Sequence, residues 1–398
     1  MYPFPALAGT LGGGFPDNII SYSTNQNHRA CVLSNGELWT QGVNGSGEIG
    51  NGDTTGTFVM SWFKAMNNVK KAQCGRGTTV AITNDNKIFY SGLDAPFGNF
   101  SSSRVFIEAT SLVAPSGAPY AVSDIVEFQS AVDHSLFLLD NGDLWGFGTN
   151  TKSQLGVTGR QVTPIKIASN VKKFSAGGRV SVYLTTDGKL YTCGDSSSTL
   201  GYGPPLRSFT TFTELTPSLY DPTGTTNFVR DFSHNEQLAA GTLQITTSTG
   251  PTGNTTVFTG FSNNSDDPDK PTDGQRLYKV LSLSGGDAAF YPNTMGDNSV
   301  RILTKGGNTY VVGTNGNGQL GIGSTSANID VYTILPRPSG IEQADILYLS
   351  IGDQTTMEFV ARGRVYVAGT IGGKFEGGGT ANQSNILKRM SNVPRMGT

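Results

Sequence analysis

The sequence predicts an all-β fold, a seven-bladed β-propeller, and three observations lead to it. Glycine supplies 53 of the 398 residues, about 13% and close to twice its usual share, as a fold with many tight turns requires. A hairpin pattern ending in glycine recurs seven times, at a mean spacing of roughly 54 residues. Each copy has room for about four short strands, which is the layout of a propeller blade.

The low and balanced charge of the chain excludes several classes of function. Only 15% of the residues are charged, and 28 basic and 30 acidic side chains give a net charge of −2. Binding to nucleic acid or to an anionic membrane needs a basic surface, so neither partner is expected. The hydrophobic content of 36% is enough for a packed core, which argues against a disordered chain.

The recurring hairpin is an apolar strand, a turn and a second strand that ends in glycine. The clearest copies cover residues 30–42, 136–148 and 182–194, and the weaker ones cover residues 79–92, 238–260, 300–313 and 358–369. The turns Asn35-Gly36, Asn141-Gly142 and Asp187-Gly188 consist of residues that tolerate a positive φ. These pairs predict two-residue hairpin turns.

Two positions of the hairpin recur in nearly every copy. The glycines that end the copies are Gly42, Gly92, Gly148, Gly194, Gly260, Gly313 and Gly369. Three positions earlier, six of the seven copies have an aromatic residue, namely Trp39, Phe89, Trp145, Tyr191, Tyr310 and Tyr366. A register kept along the whole chain predicts one closed ring of repeats rather than two or three separate domains.

A second signature follows the hairpin in three copies, and we name it the Asn-led loop. It covers residues 44–50, 150–156 and 315–321, starting with asparagine and ending in Glu-Ile-Gly or Gln-Leu-Gly. Two copies also fit the G-x-G-x-x-G pattern, but turn-forming residues and no helix start follow. We therefore expect tight turns at the blade edge and no bound nucleotide or other cofactor. An alternating run such as residues 164–167 and a closing strand such as residues 171–177 complete the predicted unit.

These residues resemble the regulator-of-chromosome-condensation repeat family, whose members are seven-bladed β-propellers. The Gln154-Leu155-Gly156 ending, the Asn141-Gly142 turn before Trp145 and the His134-Ser135 step carry the resemblance. We expect an N-terminal extension over residues 1–18, the propeller over residues 19–390 and a C-terminal tail over residues 391–398. The family includes a chromatin-binding nucleotide exchange factor and a secreted inhibitor of β-lactamases, so one fold has different functions. The resemblance therefore implies that function rests on the variable loops and not on the fold.

The residue types that carry chemistry are few and widely spaced. Cys31, Cys74 and Cys193 form no disulfide framework or zinc pattern and are expected to be buried. His28 and His134 share one repeat position, which favours a structural hydrogen bond over catalysis. We predict no catalytic, cofactor-binding or metal-binding residues and no enzyme activity. The acidic loop at residues 263–273 leaves two alternatives, a solvated loop or a calcium site without the EF-hand spacing.

Two long segments, residues 93–122 and 202–228, are the candidate partner-binding loops. Segments of this length are often functional, and exposed aromatic residues favour protein partners. The alternative is that these aromatic side chains fold back onto the propeller edge, and the sequence favours neither. The candidate residues are Phe97, Phe100, Phe106, Tyr120, Phe209, Phe212 and Tyr220.

The low charge and the abundance of glycine, serine, threonine and asparagine are typical of phage tail and capsid-surface proteins. The first hypothesis is therefore a non-catalytic structural or adhesive propeller of a bacteriophage virion, which binds neighbouring subunits or a host receptor. The alternative is a regulator or inhibitor of one cellular protein, located in the cytoplasm. Met1-Tyr2-Pro3-Phe4-Pro5 has no basic or apolar signal region, so secretion is not expected. An oligomer within an assembly is a further expectation. The terminal segments, residues 1–18 and 374–398, are expected to bind adjoining subunits, or one of them to complete the first or last blade as a closing strand.

Overall fold

Seven antiparallel sheets of four strands account for the architecture of the described residues. The structure is a computed structural model, and it describes residues 19–25, 28–53, 55, 58–93, 102–110, 120–196, 207–215, 228–234, 243–248, 255–259, 278–283, 289–290, 301–351, 356–370 and 383–390. In every sheet the strands pair in chain order, so each blade is built from one continuous stretch of sequence. Two single-turn 3-10 helices, Val122–Asp124 and Gln343–Asp345, precede the first strands of blades 3 and 7.

The strands follow the chain from blade 1 to blade 7. Blades 1 to 4 contain β1 (Ile19–Asn25), β2 (His28–Leu33), β3 (Leu38–Val43), β4 (Phe58–Met66), β5 (Val69–Gly75), β6 (Thr78–Thr83), β7 (Ile88–Leu93), β8 (Ser102–Glu108), β9 (Ile125–Ser130), β10 (His134–Leu139), β11 (Leu144–Gly148), β12 (Gln161–Ala168), β13 (Val171–Ala176), β14 (Val180–Thr185), β15 (Leu190–Ser196) and β16 (Arg207–Glu214). Blades 5 to 7 contain β17 (Phe228–His234), β18 (Leu243–Ser248), β19 (Thr255–Thr259), β20 (Tyr278–Leu283), β21 (Ala289–Phe290), β22 (Arg301–Lys305), β23 (Asn308–Thr314), β24 (Asn328–Ile334), β25 (Ile346–Ile351), β26 (Thr356–Ala361), β27 (Arg364–Thr370) and β28 (Gln383–Arg389).

The seven sheets form a closed ring around one axis. The first strand of a blade contacts the first strand of the next, as β1 contacts β5 and β5 contacts β9, and β25 of blade 7 contacts β1. The hydrophobic cores lie between adjacent blades, since one core joins Ala30 and Val32 of blade 1 to Ala72 of blade 2. The predicted seven-bladed β-propeller is therefore confirmed, with the first strands innermost and the fourth strands on the perimeter.

The repeat unit begins at a different strand from the one that the sequence indicated. Residues 171–177 were expected to close a unit, but they contain β13, the first strand of blade 4. Likewise, the fourth strands β8 and β16 lie within the two segments that were interpreted as long loops. The periodicity of the chain was correct, and only its starting point was wrong, because alternation alone does not distinguish the innermost strand from the outermost.

The glycine that ends each hairpin marks a bulge between the third and fourth strands. Positive φ angles occur at Gly42, Gly92, Gly148, Gly194, Gly313 and Gly369, whereas Gly260 lies outside the described residues. At these glycines the pairing register shifts, as between Gly194 and the fourth strand of its blade. A Cβ atom on Gly194 would lie 2.2 Å from the carbonyl oxygen of Arg179. Both the backbone angle and this contact require glycine.

The hairpin turns differ in type from the predicted two-residue turns. The amide of Gly36 donates to the Leu33 carbonyl, and the amide of Leu33 donates to the Glu37 carbonyl. Of the turn residues only Gly36 has a positive φ, of 83°, so this is a three-residue connection with a glycine bulge. The Gly36 carbonyl accepts a 2.9 Å hydrogen bond from Val69, the first residue of blade 2. The glycine therefore also joins two blades.

Side chains of blades 1 and 7 close the ring, and we name this contact the closing seam. Arg29 and Glu358 have fully buried side chains, exposed by 0% and 1%, with Nη1 and Oε2 3.7 Å apart. The Tyr22 hydroxyl donates to Glu358 Oε2 at 2.6 Å, and Arg29 Nη1 donates to that hydroxyl at 3.4 Å. The guanidinium of Arg29 also lies 5.5 Å from the ring centroid of Trp62.

One of the two terminal candidate segments, residues 374–398, contains β28, which completes blade 7 as its fourth strand. Blades 1 and 7 each have four strands from their own stretch of sequence, among the residues that the structure describes. The other terminal candidate, residues 1–18, lies outside those residues.

Replacing glycine by alanine at three positions tests the bulge geometry. We expect Gly194→Ala to lower the free energy of unfolding by at least about 3 kcal/mol, because strain and a carbonyl clash add together. Gly159→Ala, with a φ of 77° but nothing within 4 Å of its Cβ position, should cost about 1 kcal/mol. The control Gly316→Ala, which has neither problem, should change stability by less than about 0.5 kcal/mol. Urea unfolding measures all three, and equal losses would contradict the bulge account.

Candidate functional site

Four of the seven predicted partner-binding aromatic residues lie within the described residues. Phe106 belongs to β8, Phe209 and Phe212 belong to β16, and Tyr120 precedes β9. Their environments are half-buried or buried. The other three, Phe97, Phe100 and Tyr220, lie outside the described residues, and their partner-binding role stays a prediction.

The environments of these aromatic side chains favour the packing alternative. The Tyr120 ring lies 5.0 Å from the Trp145 ring and 5.2 Å from the Phe137 ring, between centroids. The Phe212 ring lies 4.9 Å from that of Tyr183. Phe106 packs against the core between blades 1 and 2. These side chains therefore contribute to blade packing.

The two histidines that share a repeat position join adjacent blades. His28 Nε2 lies 3.0 Å from the Thr79 hydroxyl of blade 2, and His134 Nε2 lies 2.9 Å from the Ser181 hydroxyl of blade 4. Both imidazoles are buried. Burial lowers the pKa of His28 to about 4, and a hydrogen bond with the Thr78 backbone opposes the shift. His28 is therefore a neutral structural group at neutral pH.

The three cysteines are buried free thiols. Burial raises the pKa of Cys31 and of Cys74 far above the usual range, and it raises the pKa of Cys193 to about 11. The thiol of Cys193 donates to the carbonyl of Ser153 in the Asn-led loop of the preceding blade. A reactive cysteine needs the thiolate form, so these environments suit packing rather than nucleophilic chemistry.

The Asn-led loops are internally hydrogen-bonded turns. The Asn150 side-chain oxygen accepts from the Leu155 amide at 3.0 Å, and Asn315 does the same with Leu320 at 2.9 Å. Gln154 accepts from the backbone amide of Lys152 at 2.9 Å. These bonds explain why asparagine and glutamine recur at fixed spacing.

Each Asn-led loop also contacts the next blade. The Gly52 amide, just beyond the first loop, donates to the Arg104 carbonyl of blade 2 at 2.8 Å, and the Gly323 amide, just beyond the third, donates to the Asn385 carbonyl of blade 7 at 2.7 Å. In blade 3, Gly156 adjoins Phe212 of blade 4. The glycine-rich Asn-led loops are therefore tight turns that connect adjacent blades, and tight turns were predicted at these positions.

The acidic loop at residues 263–273 lies outside the described residues, and its calcium alternative stays open. Among the residues that are described, no group of three or more histidine, cysteine or acidic side chains is arranged to hold a metal ion. Within the same part of the chain, no helix is long and apolar enough to cross a membrane.

A second bulge recurs in the first strands, and it forms the strongest candidate site. In six blades the first strand carries one residue that has no partner in the second strand. We name these residues the bulge ring, and they are Ile20, Lys70, Val126, Lys172, Arg230 and Leu347. The corresponding position of blade 6 lies outside the described residues.

The bulge ring lies near the axis, at the end of the propeller that carries the hairpin turns. Lys70, for example, directly follows Val69, whose amide donates to the turn residue Gly36. Because the first strands are innermost, the bulged residues of successive blades surround the axis. A bulge turns a side chain away from the regular alternation of a strand, and Ile20, Val126 and Leu347 are exposed by 45%, 46% and 37%.

The bulge ring combines aliphatic and cationic side chains. Its cations are Lys70, Lys172 and Arg230, and the next residue in blades 2 and 4 is again a lysine. Lys172 Nζ donates to the Arg230 carbonyl at 2.6 Å. Lys173 Nζ lies 2.7 Å from an Asp231 carboxylate oxygen. These contacts tie first strands together and keep several positive charges close to one another.

The sequence carried an unrecognised signal for this ring. Residues 171 and 174 of β13 are buried apolar residues separated by two positions instead of one, and β5, β17 and β25 repeat that spacing. A two-residue gap in an otherwise alternating strand indicates a bulge. With this strand placed at the end of the repeat unit, the gap does not identify a bulge next to the axis.

Comparison with known proteins supports the architecture. The family model of the regulator of chromosome condensation repeat matches residues 171–199, which begin with β13 and include the hairpin of blade 4. The resemblance to this repeat family is confirmed. Among human proteins, the probable E3 ubiquitin-protein ligase HERC6 is 27% identical over 198 residues, which are 46% of this chain and 19% of that protein. Mouse protein RCC2 is 25% identical over 154 residues, or 38% of this chain and 29% of that protein. The matches thus span less than a third of each relative.

Solved structures of the repeat family share the fold. Saccharomyces cerevisiae Prp20p superimposes with a TM-score of 0.57 at 16% identity, covering 84% of this chain and 80% of that one. The same yeast protein in complex with Kap60 gives a TM-score of 0.58 at 16% identity, covering 84% and 78%. At this identity the likeness establishes the propeller architecture only. The function of this chain must be argued from its own surface residues.

The depressed pKa of His28 predicts how stability depends on pH. The unfolded chain takes up a proton near pH 6.5, while the folded protein resists protonation until about pH 4. Stability from the neutral imidazole is therefore complete above about pH 6.5 and is lost as the pH falls toward 4. Between those values the wild type should lose about 3 kcal/mol more than His28→Gln, which does not titrate. Urea unfolding across this range measures the difference, and parallel profiles would refute it.

Proposed function

We propose that this chain is a non-catalytic protein-binding propeller, a regulator or inhibitor that acts by holding one protein partner. One observation carries the proposal. The described histidine and cysteine side chains that could serve catalysis are buried and committed to blade packing. In contrast, exposed aliphatic and half-buried cationic side chains lie together around one end of the axis. That division suits a rigid scaffold that presents a binding surface.

The relatives support the same kind of function. Yeast Prp20p has binding properties toward Gsp1p and histones, and its second structure shows it bound to Kap60. These partners belong to the yeast protein. For this chain they support the general use of a repeat propeller as a protein-binding platform. The ligase name of HERC6 describes a protein of which the match covers 19%, so we propose no ligase activity here.

The comparisons favour the regulator alternative over the virion hypothesis. The relatives named above come from yeast, mouse and human, and none of them is a virion protein. The virion hypothesis rested on low charge and on composition alone. With the regulator function we propose a cytoplasmic location.

The test is to capture, identify and reconstitute the partner. The full chain would be cross-linked in an extract of its source organism, and the captured protein would then be purified and titrated into the chain by calorimetry. We expect a saturable complex with a Kd between about 1 nM and 10 µM. Failure to reconstitute any saturable complex would contradict the proposal, and so would detection of the chain as a stoichiometric component of purified virions.

A further inference from the structure

We propose that the bulge ring binds an acidic peptide segment with aliphatic side chains, supplied by the protein partner. This inference rests on the proposed protein-binding function and specifies where and what the propeller binds. Three features of the ring carry it: the repetition of the bulge, an excess of positive charge, and the aliphatic side chains placed between the cations.

The repetition of the bulge gives a ring of side chains that lie outside the apolar cores between blades. Residues on either side of each bulged position pack into the cores, as Val171 and Phe174 do around Lys172 and Lys173. The extra residue adds nothing to the ladder between the first and second strands. Because the same insertion occurs in six described blades, six side chains are presented around one axis.

The charge of the bulged residues and of the residues that follow them is predominantly positive. The bulged residues and their following neighbours include Lys70, Lys71, Lys172, Lys173 and Arg230, against two acidic residues, Glu127 and Asp231.

The cations crowd one another at blades 4 and 5. Burial lowers the pKa of Lys172, the Asp231 carboxylate opposes that shift, and the charges of Lys173 and Arg230 add to it. Asp231 already pairs with Lys173. Arg230 Nε donates to the Ser248 hydroxyl at 2.8 Å. A ligand carboxylate beside Lys172 would add a second negative charge to this cluster and offset the repulsion among its cations.

The aliphatic members of the ring determine which kind of anion fits. Leu347, Ile20 and Val126 stand in blades 7, 1 and 3, and they interrupt the series of cations. A peptide with both acidic and aliphatic side chains satisfies both classes of contact. Single-stranded nucleic acid is bound through aromatic stacking and continuous neutralisation of phosphates, and the six bulged residues include no aromatic residue.

Selection from a randomised peptide library on the immobilised full chain tests the inference. We expect enrichment of peptides that contain glutamate or aspartate together with leucine, isoleucine or valine. One enriched peptide, labelled with fluorescein, would be titrated by fluorescence anisotropy. The double variant Lys70→Glu/Arg230→Glu should weaken binding by at least about tenfold, through the loss of two ion pairs and added repulsion. Higher salt should weaken wild-type binding.

Matched variants separate the ring from the rest of the surface. Val126→Ser should reduce affinity without a change of charge. Lys388→Glu and Val331→Ser, at exposed positions of the outer strands β28 and β24, should leave affinity unchanged. Circular dichroism and thermal melts establish that each variant is folded, and Val126→Ser keeps the test informative should the double variant unfold.

Three results would overturn the inference. They are enrichment of peptides without acidic residues, equal binding by ring and outer-strand variants, and lysine-dependent binding of a labelled oligothymidylate with no acidic peptide enriched. A partner that reconstitutes with the wild type and with Lys70→Glu/Arg230→Glu at equal affinity would refute the ring site and leave the proposed function intact.

Discussion

The closing seam between blades 1 and 7 is the contact on which the propeller depends. In an open arc of seven blades, the core faces of the first and last blades would meet water. Here Ile19 and Cys31 of blade 1 pack with Val360 and Val367 of blade 7. Within this apolar layer lies the Arg29–Glu358 ion pair. A charge in such a place is tolerated only when it is paired and hydrogen-bonded.

The hydroxyl of Tyr22 completes the seam. Burial, followed by the negative charge of Glu358, raises the pKa of Tyr22 far above its usual range. The hydroxyl therefore keeps its proton and donates a hydrogen bond to the carboxylate. Next to this pair, the Thr24 backbone and side chain both meet the Tyr348 hydroxyl, at 3.2 Å and 3.0 Å. Polar contacts of this kind fix which two blades meet, which apolar packing alone specifies weakly.

The sequence predicts features that repeat in every blade, such as the glycine at each bulge. It does not predict features that occur only once, such as the closing seam. The blade count followed from glycines such as Gly92 and Gly194, which a bulge requires in every described copy. The closing seam occurs once, between residues more than 300 positions apart in the chain. No repeat pattern therefore predicts the contact between Arg29 and Glu358. The predicted two-residue turn was wrong because a glycine such as Gly36 is compatible with both a two-residue turn and a three-residue turn with a glycine bulge.

The candidate site was likewise predicted only in part from the sequence. The sequence predicted partner-binding aromatic residues in two long segments, yet Tyr120 is buried in a core between blades and Phe212 packs against another core. The candidate site consists instead of bulged residues in short strands near the axis, among them the half-buried Lys172. Whether a side chain is buried depends on the order of the strands from the axis to the perimeter of a blade. The sequence alone did not predict that order. The closed ring then brings these dispersed positions together at one end.

A double-mutant cycle on the closing seam tests the central claim most directly. Equilibrium unfolding would be measured for the wild type, Arg29→Met, Glu358→Gln and the double variant, with the exposed pair Lys64 and Glu37 as control. Each single seam substitution should cost about 3–5 kcal/mol, because it leaves a buried group without its partner. The double variant should cost at least about 2 kcal/mol less than the sum, while the control pair couples by less than about 1 kcal/mol. Additive losses at Arg29 and Glu358 would contradict the claim that their pairing holds the ring closed.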